Sequence, residues 1–351
     1  MSYIFKENIA SEEYTEFLKK QNYLSFMQEE EWSKSKNNNY KIVAVLKNNK
    51  IVAAANILII NKKGQKKYFI PNGYIINFND EKILNYMTQN IKEMAKKDKA
   101  YVIEIYPNID FDNPLYNEIH NNLIKLNYKY NKNYLDKSDN ILIPMKKKNK
   151  KISKLELQRK YENKDFYIKR GIEFEITNNI NDIKRLKYLL NDNYFNEELI
   201  KELIYNFKDR IKFIFAKVDL IYYKNYLENN LDKEYDLDKI NELINISDEM
   251  DIGCALIIEP LNKNNSICEF LYNKEKNSFE NLKINNGLLY ETMKICNQNN
   301  YSYIKVSNIN LNKDIIIENY NGYEINYVGC YSLIINKLKY FLNKQIKIRK
   351  D

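Results

Sequence analysis

Between Ser25 and Gly73 the chain sets out a short helix, a hairpin and a third strand, an order that few folds accommodate. Ser25-Phe26-Met27-Gln28 leads into a helical stretch, Gln28 to Lys36. That stretch carries Trp32, the only tryptophan of the chain, and Lys36 four residues later. Tyr40–Leu46 and Ile51–Ile60 then alternate or run apolar. The polar Lys47-Asn48-Asn49-Lys50 joins them, so the pair reads as a β-hairpin. Lys67–Pro71 reads as a third strand and runs into Asn72-Gly73.

The flanking pattern extends this order. Glu12 to Gln21 has helical character, with Tyr14, Phe17 and Leu18 on one face. Ile83, Leu84, Met87, Ile91, Met94 and Ala95 recur at helical spacing before a buried-type strand, Tyr101–Ile105. A helix over Leu115–Leu126 and a strand over Asn140–Met145 follow. Helix, antiparallel strands, helix, strand, helix, strand is an order that resembles an α/β acyltransferase of the GNAT type. The second half repeats it loosely, from a strand at Ile172–Ile176, through helices at Asp182–Leu190 and Glu197–Phe207, to strands at Ile211–Ala216, Ile252–Glu259 and Ile267–Tyr272. A helix near Leu288–Asn297 and a strand at Tyr303–Val306 close it.

At 351 residues two domains are expected. The fold class is therefore α/β (α+β), with two tandem GNAT-like domains built on mixed sheets. The first is expected over residues 1–148, joined by a final helix within 332–351, and the second over 149–331. The polar run Lys146 to Lys164 marks the divide. Within the second, residues 218–250 differ in kind: Leu227 and Leu231, then Leu237, Ile240, Leu243 and Ile244, suit a short antiparallel helical hairpin. It either packs on its own domain or projects as an arm.

The net charge of +9, from 56 basic and 47 acidic residues, permits attraction to phosphate without requiring it. Nucleic acid, anionic membrane and nucleotide-linked substrates all stay open. Lys146 to Lys151 and the run Lys344, Lys347, Arg349, Lys350 suit either an RNA backbone or plain solvent. Cys254, Cys268, Cys296 and Cys330 lack Cys-x-x-Cys spacing and read as buried free thiols, and no metal site is expected. His120 reads as a helix-surface residue. Seven glycines, none in a Gly-x-Gly pattern, argue against a glycine-rich nucleotide cradle. Without a signal-like start or a run of about 18 apolar residues, the chain is expected to be soluble and cytoplasmic.

Taken with Asn285-Asn286-Gly287-Leu288-Leu289, Tyr303-Ile304-Lys305-Val306, Gly322-Tyr323 and Tyr327-Val328-Gly329, the Ser25–Gly73 order resembles the Fem family (FemABX type). These are transferases that add amino acids from charged tRNA to the stem peptide of a cell-wall precursor. The resemblance implies that Trp32 and Lys36 lie in the precursor channel, with Lys36 against diphosphate or peptide. Pro71-Asn72-Gly73 stands for a Pro-Arg-Gly element, so Asn72 and Gly73 join the substrate site without the arginine's charge. Glu104, just before Tyr106-Pro107, becomes the acidic candidate near the attacking amine, and Tyr106 a substrate contact. Tyr320 stands where the family has a lysine two residues before Gly322, and its phenol becomes the candidate oxyanion donor, flanked by Gly322 and Tyr323. No precursor-binding arginine is evident between Lys187 and Phe195.

The implied reaction joins the side-chain amine of a diamino acid in a lipid- or UDP-linked muropeptide to the aminoacyl group of an aminoacyl-tRNA. No cofactor beyond that co-substrate is expected, and a transient membrane-surface contact is allowed. The final helix would pack on the first domain. Two alternatives stay open: a degenerate Fem-like protein that binds precursor without transfer, and a GNAT-like N-acyltransferase acting on another amine.

Overall fold

The structure, a computed structural model, describes the chain except residues 1, 23, 37–38, 63, 132–139, 148–149, 152–163, 191–195, 231–236, 263–265, 308–312 and 349–351. It divides into two compact units, residues 1–138 with 325–351, and residues 139–324.

Strands are numbered in chain order. The first unit holds β1 (Tyr3–Glu7), β2 (Asn39–Lys47), β3 (Lys50–Lys62), β4 (Gln65–Ile70), β5 (Ala100–Ile105), β6 (Tyr128–Asn131) and β16 (Cys330–Ile334). They form one sheet in the order β1-β2-β3-β4-β5-β16-β6. Pairing is antiparallel from β1 to β4, parallel between β4 and β5, and antiparallel again through β16 to β6. The β2–β3 turn places both Asn48 and Asn49 at positive φ, a conformation asparagine tolerates and a two-residue hairpin needs.

The parallel step requires a crossover, and helix Glu81–Lys97 supplies it. Asp80 caps its start, accepting a hydrogen bond from the Ile83 amide at 3.1 Å. Its Leu84, Met87, Ile91 and Ala95 are wholly buried against the sheet face that carries Val43, Val45, Ile57, Tyr68, Ile103 and Ile105. Burying each large aliphatic chain contributes about 1.5–3 kcal/mol, and this apolar stripe is what ties helix to sheet.

The second unit repeats the plan with β10 (Ile172–Thr177), β11 (Ile211–Asp219), β12 (Glu249–Ile258), β13 (Ile267–Glu275), β14 (Tyr303–Val306), β7 (Asn140–Pro144) and β15 (Tyr323–Ile325), the last at the unit boundary. Their order is β10-β11-β12-β13-β14-β7-β15, with β13 and β14 parallel. Helix Ile284–Asn299 makes that crossover. Lys305 of the closing motif lies on β14 opposite Glu269 and pairs with it at 3.6 Å in the interior. A small two-stranded ribbon, β8 (Lys146–Lys147) with β9 (Lys150–Lys151), stands apart from both sheets.

Three expectations shift. The bounds fall at 138/139 and 324/325, not at 148/149 and 331/332: β7, assigned to the first domain, lies in the second unit's sheet, and β16 lies in the first. Residues 332–334 are not helical. The segment Cys330–Ile334 pairs as a strand, and the helix starts only after Asn336, at Lys337–Ile348. The insertion forms two helices, Leu220–Asn230 and Leu237–Ile244, whose Tyr223, Leu227 and Ile240 are buried in their own unit's core, so it packs there and does not project. Much of the expected divide at Lys146–Lys164 lies outside the described residues.

Candidate functional site

The Ser25–Lys36 segment is built turn by turn. The Ser25 hydroxyl accepts the Met27 amide at 3.3 Å and opens a single 3-10 turn, Phe26–Gln28. Glu29 is extended, and helix Glu30–Ser35 follows. Trp32 on that helix sets its indole edge-on to Phe26, with centroids 5.1 Å apart. Lys36 ends the helix and folds its ammonium back over the indole, 4.4 Å from the ring centre. Burial holds the Lys36 pKa below its ordinary value. Among the described residues no carboxylate lies within ion-pair distance of this ammonium.

A buried polar hub fixes this helix to the sheet. Asn56, in the middle of the apolar β3 run, is 1% exposed. Its side-chain amide nitrogen donates to the Glu29 carbonyl at 2.9 Å, and its side-chain oxygen accepts from the Ser33 hydroxyl at 2.9 Å. Its backbone amide donates to Gln28 Oε1 at 3.1 Å. Gln28, wholly buried, in turn donates to the Pro71 carbonyl, and its own carbonyl accepts from the Tyr14 hydroxyl at 2.7 Å. The Asn72 side-chain amide reaches the Ser25 hydroxyl at 2.8 Å. Asn72 sits at φ +48, and a Cβ on Gly73 would meet Ile70 at 2.7 Å and Gln28 at 2.8 Å, so the loop closes on Gln28 only because residue 73 is glycine. Trp32, Lys36, Asn72 and Gly73 therefore belong to one locus, held by two residues to which the sequence reading gave no role, Gln28 and Asn56. The available signal was an asparagine interrupting an otherwise apolar strand.

Glu104 and Tyr106 stand further along the same sheet. Strand register sets Leu58, Phe69, Glu104 and Ser332 side by side across β3, β4, β5 and β16, on the face away from the core cluster. Asn56 precedes Leu58 by two residues and shares that face. Lys67 pairs with Glu104 at 2.7 Å, both largely shielded, and Tyr106 packs edge-on to Phe69 at 5.3 Å. Cys330, buried beside them, has its thiol pushed up to about 11 by burial and by the Glu104 charge, which leaves it inert at neutral pH.

Tyr320, Gly322 and Tyr323 lie in the second unit, around the end of helix Lys313–Tyr320. Here the expected oxyanion donor needs correction. Tyr320 is 4% exposed and belongs to the apolar core, because it follows Ile316 by one helical turn on the helix's inner face. Gly322 is a packing glycine: a Cβ there would meet Ile141 at 2.8 Å. Tyr323 is 44% exposed. Tyr320→Phe keeps the ring, so stability is expected to change by about 1 kcal/mol, the worth of one hydroxyl hydrogen bond, as read by chemical denaturation.

One further expectation changes. His120 is not a free surface residue; its Nδ1 lies 2.9 Å from the Tyr331 hydroxyl among the rings of Tyr116 and Tyr130. No arginine falls between Lys187 and Phe195, and Arg185, two residues before that segment, lines a cavity of about 590 Å³. Its guanidinium is committed to Asp251 through two bonds of 2.8 Å, to Glu175 at 2.9 Å and to Asp182 at 3.3 Å. All four cysteines are buried thiols. Among the described residues no group of three His, Cys, Asp or Glu side chains is arranged to hold a metal, and no helix is long and apolar enough to cross a membrane.

Comparison with known proteins adds to this geometry. Residues 9–137, which contain the Gln28–Asn56 hub, match the FemAB family. Over 185 residues the chain is 24% identical to the lipid II:glycine glycyltransferase of Staphylococcus haemolyticus (strain JCSC1435), a match spanning 49% of this chain and 44% of that protein. The crystal structure of FemX is similar over 97% of this chain and 99% of its own, with a TM-score of 0.75 at 17% identity. A tandem GNAT protein from the clavulanic acid biosynthesis pathway is similar over 95% and 99%, with a TM-score of 0.57 at 6% identity. The expected tandem GNAT-like fold on mixed sheets is the fold observed.

Proposed function

We propose that this chain is a divergent FemAB-family protein, a reading that rests on the match over residues 9–137, and that it transfers an amino acid from aminoacyl-tRNA to the stem peptide of a cell-wall precursor. The observation that carries the proposal is Lys36: an ammonium partly withdrawn from water, backed by Trp32, with no carboxylate partner among the described residues. A desolvated cation left without an internal counter-ion is suited to an external anion, and the diphosphate of a lipid- or UDP-linked muropeptide supplies one.

In the proposed reaction the neutral side-chain amine of the stem peptide attacks the ester carbonyl carbon. The C–N bond forms, the bond to the tRNA ribose oxygen breaks, and the amine's proton passes to that leaving oxygen or to solvent. The ester is already activated, so the protein chiefly has to hold two large substrates in line. Lys36 and Trp32 hold the phosphate end. Asn72 and Gly73 shape the loop beside it, and Glu104 and Tyr106 are the groups proposed to orient the amine. Tyr320 has no part in this scheme.

RNA dependence tests it. Transfer of a labelled amino acid to a UDP-linked muropeptide is expected to require charged tRNA, to stop on ribonuclease treatment, and to be unaffected by acyl-CoA. Transfer from acyl-CoA without tRNA would put the GNAT-like N-acyltransferase in its place. Burial of Tyr320, where the family has a lysine, favours a second reading: a module that binds precursor without transfer.

A further inference from the structure

The helix Lys337–Ile348 leaves an apolar face in water. It starts at Asn336, whose side chain accepts the Lys339 amide at 3.0 Å, and the backbone amides of Ile335 and Asn336 bind the Tyr101 carbonyl of β5. One side is anchored further along, where Asn343 donates to Gln65 on β4. Away from these anchors Leu338, Phe341 and Leu342 are 73%, 53% and 47% exposed. Their i, i+3, i+4 spacing puts them on one stripe of the helix.

The helix that carries this stripe bears charge of one sign in its sequence. Lys337, Lys339, Lys344 and Lys347 lie within the helix, which contains no Asp or Glu. Three adjacent large apolar side chains gain nothing from an RNA phosphate backbone, and lysines gain nothing from an apolar protein groove. A surface that offers both acyl chains and phosphate groups satisfies the two together. We propose that this helix docks in the plane of an anionic lipid bilayer. Leu338, Phe341 and Leu342 enter the boundary between headgroups and acyl chains, and the ammoniums of Lys337 and Lys339 meet lipid phosphate. The contact is peripheral and reversible, since a short stripe of three side chains supplies weak partitioning on its own. It is independent of the transferase reading, because it is measured with neither tRNA nor precursor present.

Co-sedimentation of the full chain with vesicles tests this. Binding is expected to mixed phosphatidylglycerol–phosphatidylcholine vesicles, to weaken as salt is raised, and to be much poorer with phosphatidylcholine alone. Leu338→Ser/Phe341→Ser is expected to lower partitioning about tenfold through lost apolar insertion. Lys337→Gln/Lys339→Gln is expected to lower it through lost charge, and both variants alter exposed or half-exposed positions and should unfold at the wild-type denaturant midpoint. Equal binding of the wild type to both vesicle compositions, or wild-type binding by the serine variant, would overturn the proposal. So would retention on tRNA that the glutamine variant loses and the serine variant keeps, with no vesicle binding.

Discussion

Asn56→Leu is expected to lower stability by about 3 kcal/mol and to abolish precursor binding, although residue 56 is 1% exposed and reaches no ligand itself. Leucine has the same branched heavy-atom skeleton as asparagine, so the effect is chiefly one of lost hydrogen bonds. The change removes a donor to the Glu29 carbonyl and the acceptor for the Ser33 hydroxyl, so two hydrogen bonds made in the interior are lost. Losing a buried hydrogen bond of this kind costs about 1–3 kcal/mol, and the added apolar contact offsets part of the sum. Because Glu29 and Ser33 flank the start of helix Glu30–Ser35, the helix that presents Trp32 and Lys36 loses its seat on β3. Denaturant titration together with calorimetry on a UDP-linked muropeptide reads both effects. A variant with wild-type stability and wild-type affinity would show that the hub positions nothing.

Lys36→Met should weaken the same ligand by about 10- to 100-fold, the worth of one charge-assisted contact, while folding is kept. Stability linkage agrees in sign. Burial lowers the folded-state pKa of Lys36 below the ordinary 10.5, so between the two values the unfolded chain binds more protons and stability rises with pH. At neutral pH the buried charge is therefore a small burden, and its removal does not destabilise. Binding carries the opposite signature. An anion favours the ammonium form, so wild-type affinity falls as pH rises through the lowered Lys36 pKa, and the Lys36→Met variant lacks that dependence. A parallel loss of affinity with pH in both proteins would assign the anion contact to another group.

Much of the first unit could be read from periodicity, because its elements bury one face each. Ile83, Leu84, Met87 and Ile91 announce a helix, and the polar Asn48-Asn49 between apolar runs announces the hairpin. The lone Trp32 and the Lys36 one turn later mark a candidate site without any knowledge of what holds it. The hub was harder: Asn56 is one polar residue in an apolar strand, and its partners Gln28 and Ser33 lie more than twenty residues away. No local pattern encodes such a pairing. The same limit hid the exchange that sets β16 beside β5 and β7 beside β14, since strand partners distant in sequence leave no periodic trace. Tyr320 was misjudged for another reason. Its place before Asn321-Gly322 drew attention to the hydroxyl, whereas Ile316 one turn earlier already marked that face as apolar. Arg185 shows how charge alone misleads, because three carboxylates consume a cation that composition would count as available.

Transfer of an aminoacyl group is tested most directly by the mass of the acceptor. Wild-type protein, a UDP-linked muropeptide and a pool of charged tRNA should yield a muropeptide heavier by one aminoacyl residue, carried on the side-chain amine of its diamino acid. A muropeptide of unchanged mass across the full charged pool, with lipid-linked precursor equally unmodified, would contradict transfer.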